Sequence, residues 1–170
     1  MSAAVTAAVG MCLLAASPAR AELSTSGDPA GDGQHGRRLD VTAIKVDNRD
    51  HAIVTTVSVV RLTAGDIGLR LRAQGKKRHL LAGVYSERYH RSQKDVLSTR
   101  SGAQECSGLV VRWNRDADRI RLRVPSTCWN GGDFGAVQVK VITELGGADA
   151  DLAPNGPRGG WRWTEPTPRG

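Results

Sequence analysis

The stretch LVVRWNRDADRIRLRVP, residues 109–125, decides how the rest of the chain is read. Leu109, Val111 and Trp113 alternate with Val110 and Arg112, and Ile120, Leu122 and Val124 alternate with Arg119, Arg121 and Arg123. A period of two puts one set of side chains on a buried face and the other on a wet face, which is the signature of a half-buried strand. Arg115-Asp116-Ala117-Asp118 between the runs has turn composition. The pair therefore reads as a hairpin with a forced register. To bring both apolar sets to one face, Trp113 must face Ile120 and Val111 must face Leu122, which sets Arg112 opposite Arg121 on the other face. Pro125 lacks an N–H and should end the second strand.

The same alternation recurs outward from this hairpin. Val41, Ile44 and Val46 form a short run closed by Asp47-Asn48-Arg49-Asp50. Residues 53–62 are rich in Val and Thr, which crowd a helix and suit a pleated surface. Ile67, Leu69, Leu71 and Ala73 alternate with Gly68, Arg70, Arg72 and Gln74. Residues 79–85 form another candidate strand, residues 95–99 suit a short strand or a helical turn, and Val137, Val139 and Val141 complete the set. No run of about 12 residues has helical periodicity. One-sided strands must bury their apolar faces against a second layer or close on themselves. The expectation is an all-β fold, an antiparallel β-sandwich of seven or eight short strands, with a small β-barrel as the alternative.

Beyond the strands the composition changes. Residues 1–21 carry an apolar run, Val9 to Ala16, followed by Ala19-Arg20-Ala21, a small-x-small pattern that reads as a secretory signal peptide although no Lys or Arg precedes the run. Lipidation at Cys12 is the competing reading, but Leu13-Leu14-Ala15 keep that cysteine inside the apolar run. The apolar stretch is too short to span a bilayer. Residues 22–38, rich in Gly, Ser, Asp and Arg, read as a flexible leader. The β domain is expected over 39–143. Residues 144–170 read as a Gly/Pro-rich tail, partly docked or disordered, with Trp161 and Trp163 as its large apolar groups.

Cleavage after Ala21 removes one cation, Arg20, and no acid, lowering the formal charge from +7 to +6. It also removes Cys12. Cys106 and Cys128 then remain, and two thiols in an oxidising compartment pair most simply as a disulfide. The loop of about 22 residues is worth roughly 3 to 4 kcal/mol by chain entropy. Extending the hairpin register sets Cys106 opposite Thr127, so the bridge requires Cys128 to swing back after Pro125.

The clearest chemical asymmetry is the set of outward arginines: Arg70, Arg72, Arg112, Arg119, Arg121 and Arg123. On one sheet they would form an anion-binding face for an acidic cell-envelope polymer; the ordinary alternative is a solvated surface. Nucleic acid is a poor fit, because aromatic stacking platforms are missing. The Asp47–Asp50, Asp116–Asp118 and Asp149–Asp151 turns could lend oxygens to calcium, but backbone capping is the usual task of Asp there, and no metal ligand or cofactor is expected. No Gly-x-Ser-x-Gly, His-Glu-x-x-His, dinucleotide or phosphate-loop motif occurs. His79, His90, Glu87 and Asp95 are the one acid–base group that an extracellular hydrolase would draw on.

Several segments carry a resemblance: Leu39-Asp40-Val41, the run from Cys106 to Trp113, Val124-Pro125-Ser126-Thr127-Cys128 and Asp151-Leu152-Ala153-Pro154. Over residues 39–154 the chain resembles small exported β-sandwich proteins of high-GC actinobacteria, families without an assigned activity. The resemblance implies an exported sandwich with one disulfide and carries over no catalytic residue. The leading expectation is an exported, non-enzymatic domain that binds an acidic envelope polymer through a basic sheet face. The alternatives are the hydrolase and a module that binds another exported protein through a sheet edge.

Overall fold

A computed structural model describes residues 22–74, 80–89, 92–132, 135–155 and 159–170. In chain order the strands are β1 (Glu22–Gly27), β2 (Val41–Arg49), β3 (Ala52–Val59), β4 (Gly65–Gln74), β5 (Leu80–Tyr89), β6 (Ser92–Thr99), β7 (Gly102–Gln104), β8 (Val110–Asn114), β9 (Arg119–Pro125), β10 (Ala136–Leu145) and β11 (Ala148–Ala153). They form two antiparallel sheets, ordered β1-β2-β3-β9-β8 and β11-β10-β4-β5-β6-β7. The sheets do not close into a barrel, so the sandwich holds and the barrel alternative falls. Residues 1–21, read above as a signal peptide, lie outside the described residues.

The core sits between the sheets. Ile44 and Val46 of β2, Ile53 and Val57 of β3, and Ile120, Leu122 and Val124 of β9 meet Ile67, Leu69 and Leu71 of β4 and Val137, Val139 and Val141 of β10, all of them buried. The strands alternate because each supplies half its side chains to this layer.

The hairpin has the register that the alternation requires. Val111 pairs with Leu122, Arg112 with Arg121 and Trp113 with Ile120. Asp118 closes its turn in the left-handed region (φ 46°), a conformation that Asp tolerates, and its Oδ1 accepts the Leu62 N–H at 2.8 Å. β9 stops at Pro125, and a 3-10 turn, Ser126–Cys128, swings Cys128 back to a disulfide with Cys106. The Trp113 indole donates to Ser86 Oγ of the opposite sheet at 3.2 Å, and Ser86 donates to Asp95 Oδ1 at 2.7 Å. The Trp113 N–H and the Ser86 hydroxyl are thus satisfied across the two layers.

Three strands exceed the seven or eight expected: β1, β7 and β11, and each lies at a sheet edge. The flexible leader expected over 22–38 is corrected. Glu22–Gly27 pairs along β2 from Glu22↔Asn48 to Gly27↔Ala43, and Gln34 N donates to Ala150 O at 2.7 Å. The tail also contributes structure. Ala148–Ala153 pairs with β10, and Thr167 exchanges backbone hydrogen bonds with Val137 at 2.8 and 2.9 Å. The Asn48 side chain donates to Thr167 O at 2.9 Å, and Gly170 N donates to Asn48 O. The chain's end therefore ties the margin of the second sheet to β2 of the first.

Candidate anion-binding face

The six arginines do not share a face. Arg70 and Arg72 belong to β4 in the second sheet, whereas Arg112, Arg119, Arg121 and Arg123 belong to β8 and β9 in the first. Alternation fixed which way each pointed within its strand. The assignment of strands to sheets is a long-range outcome, and it divides the set.

On the second sheet the cations are occupied. The Arg70 guanidinium lies 4.7 Å from the Trp161 ring centroid, and that of Arg72 lies 4.6 Å from Trp163. Lys140 sits 4.9 and 5.0 Å from the same two rings. Lys140 pairs in register with Arg70, and Arg72 pairs with Gln138. Burial, then Arg70 and Arg72, lower the Lys140 pKa. The indole faces offset the crowding of three positive groups by cation–π attraction. The Trp161 N–H donates to Ala153 O at 3.1 Å. Both tryptophans thus dock within the molecule.

The outer face of the first sheet is different. Register places Thr25, Lys45, Thr56, Arg121 and Arg112 in one row across all five strands. A second row carries Ala43, Ser58, Arg119 and Asn114. These residues line a groove of about 670 Å³ with Asp47, Arg49 and Val54. Asp47 is held by Arg49, whose Nε lies 2.6 Å from Asp47 Oδ2 and whose pKa that contact raises. Lys45, Arg112, Arg119 and Arg121 are exposed and make no ion pair among the described residues. Arg123 shares the outward side of β9, but its guanidinium donates to Gly108 O at 3.2 Å, outside the groove.

Adjacent strands are about 4.8 Å apart, and alternate residues of one strand about 7 Å. The Arg112 and Arg121 side chains therefore start close together, and Arg119 extends the positive zone along β9. Like charges directly opposite one another on a sheet are unfavourable. Guanidinium forks flanked by hydroxyl and amide groups can bind phosphate or carboxylate by paired, charge-assisted hydrogen bonds. Lys45 was missed from the sequence, though a signal existed: it stands between the buried Ile44 and Val46 and must point outward.

The other candidate chemistry does not assemble among the described residues. His79 and His90 lie outside them. Glu87 pairs with Asp66 on the outer side of the second sheet, whereas Asp95 pairs with the buried Ser86 on the inner side. The two acids are on opposite faces. In the 116–118 turn, Asn114 Oδ1 accepts the N–H groups of Asp116 and Ala117 at 3.1 and 3.3 Å, an ordinary capping arrangement. No protein-family model matches the chain, and no curated protein matches it.

Proposed function

We propose that this protein is an exported, non-enzymatic binding domain that holds an acidic cell-envelope polymer along the outer face of its first sheet. The observation that carries the reading is the row Lys45, Thr56, Arg121, Arg112, with Arg119 beside it. It combines unneutralised positive charge, hydroxyl donors and a concave floor. A pair such as Arg112 and Arg121 is costly alone and favourable with an anion between its members. Of the six arginines expected to bind, Arg112, Arg119 and Arg121 remain as ligand groups, joined by Lys45. Arg70 and Arg72 leave the set because their guanidinium groups stack on Trp161 and Trp163 of the tail.

Export is supported by the signal-like pattern of residues 1–21 and by the Cys106–Cys128 bridge, which suits an oxidising compartment. The net charge, +6 once the first 21 residues are removed, favours encounter with polyanions.

The test uses two immobilised polymers, poly(glycerol phosphate) and polygalacturonate, which distinguish phosphate from carboxylate recognition. Retention at low salt and release at high salt is expected on at least one. Arg112→Gln with Arg121→Gln should weaken it and reduce its dependence on salt. No retention on either polymer at low salt would remove this reading.

A further inference from the structure

Away from that face, four aspartates converge where the chain leaves β1 and where β11 ends. Asp28 follows β1 and is only 9% exposed. Its Oδ1 accepts the Asn155 N–H at 2.5 Å, whereas Oδ2 is buried with no hydrogen-bond partner. Asp151 of β11 is 5% exposed; its Oδ2 accepts Val41 N–H and its Oδ1 accepts Leu152 N–H, both at 2.7 Å. Asp32 is exposed and accepts from the Asn155 side-chain amide at 2.7 Å. Asp40 holds the intervening loop by accepting Gly31 N–H at 2.8 Å and Gly33 N–H at 3.3 Å. Gly33 lies close against this frame: an added Cβ would meet Ala150 O at 3.0 Å and Asp40 Oδ1 at 3.1 Å.

No lysine or arginine pairs with any of these four acids among the described residues. A protein of net charge +7 has thus gathered acids at one point without a basic partner. A buried carboxylate oxygen lacking any donor is expensive unless something positive meets it. One carboxylate oxygen from each of Asp28, Asp32 and Asp151 lies within 4.8 Å of the others. Oxygens bound to a common calcium ion at about 2.4 Å stand at most about 5 Å apart, so this spacing suits one ion.

We propose that Asp28, Asp32 and Asp151 form a calcium site that fastens the 28–40 segment to β11. The donor set is all oxygen, which selects a hard cation over zinc or copper. Calcium takes six to eight oxygens in flexible geometry, and exposed Asp32 leaves the outer side open for water to complete the shell. Magnesium demands a stricter octahedron, which a loop and a strand end meet less readily. No contiguous Asp turn announces the site, because its members come from opposite ends of the chain.

The proposal is independent of polymer binding. Its test uses the full chain, stripped with a chelator and dialysed at pH 7. Calcium chloride should bind with a Kd on the order of 10⁻⁴ to 10⁻³ M, the range of extracellular modules. It should raise Tm and slow proteolysis within residues 28–38. Asp32→Asn changes an exposed side chain and should fold, yet lose both effects, while Asp116→Asn in the hairpin turn retains them. The assignment is overturned if calcium leaves the wild-type Tm unchanged, if Asp32→Asn responds as the wild type does, or if magnesium at equal concentration gives an equal rise.

Discussion

Replacing Arg112 and Arg121 together with Gln should move two observables in opposite directions. The side chains are cross-strand neighbours on the outer face, both exposed, with no acid paired to either among the described residues. Directly opposed like charges cost about 0.2 to 1 kcal/mol, so the double variant should match or exceed wild-type stability by up to about 1 kcal/mol. Binding should weaken. Four cations, Lys45, Arg112, Arg119 and Arg121, line the groove without a neutralising partner among the described residues. On the counterion-release scale for single-stranded polyanions, they give log K a slope of about −3 against log salt. Raising sodium chloride from about 50 to about 200 mM should then weaken wild-type binding to labelled poly(glycerol phosphate) about 50-fold, against about 7-fold for the double variant. Fluorescence anisotropy at a series of salt concentrations reads this slope, and urea unfolding reads stability. Arg70→Gln, on the opposite sheet where the guanidinium stacks on Trp161, should keep the wild-type slope. An unchanged slope in the double variant, or an equal reduction in Arg70→Gln, would refute the placement of the site. A stability loss well above about 1 kcal/mol would mean that the pair holds the fold together instead.

Other expectations are as direct. Removing the disulfide as Cys106→Ala with Cys128→Ala should cost about 3 kcal/mol in urea unfolding, from the loop of about 22 residues released in the unfolded chain; a loss below about 1 kcal/mol would contradict it. Leu122→Ala, at a fully buried position in β9, should cost about 2 to 5 kcal/mol, while Leu23→Ala at a half-exposed edge position should stay within about 0.5 kcal/mol. Acid titration should expose Asp66 and Glu144, direct neighbours on β4 and β10, with Glu87 of β5 on the other side of Asp66. Burial raises the Asp66 pKa, with Glu87 adding to the rise while a Tyr85 hydrogen bond opposes it; burial and Asp66 raise that of Glu144. The folded state therefore favours the protonated forms of Asp66 and Glu144. Their contribution to stability should be present below about pH 4 and be lost as pH rises through the raised values. Asp66→Asn should flatten that decline in thermal unfolding, and an unchanged profile would exclude Asp66 as its source.

The central strands were legible because they are buried on one face. Leu109 to Val124 alternates so strictly that register, turn and the Arg112–Arg121 juxtaposition could all be written down beforehand, and each is found. The edge strands were not legible. β1 (ELSTSG), β7 (GAQ) and β11 (ADADLA) lack that alternation of large apolar groups, because an edge strand is held largely by main-chain hydrogen bonds to one neighbour. The leader was misread for the same reason: its polar side chains say little about a backbone that pairs with β2.

Local periodicity by itself determined the fold class and the direction of each central side chain, since both follow from residues close in sequence and from the demand to bury one face, while the count of two cysteines left after signal cleavage pointed to the Cys106–Cys128 bridge. Tertiary structure alone decided which strands share a sheet. That decision separated Arg70 and Arg72 from the other arginines, added Lys45 to the groove and brought Asp28 beside Asp151. Such neighbours are joined by main-chain pairing and packing between distant segments, and those interactions leave almost no trace in the identities of the side chains they bring together.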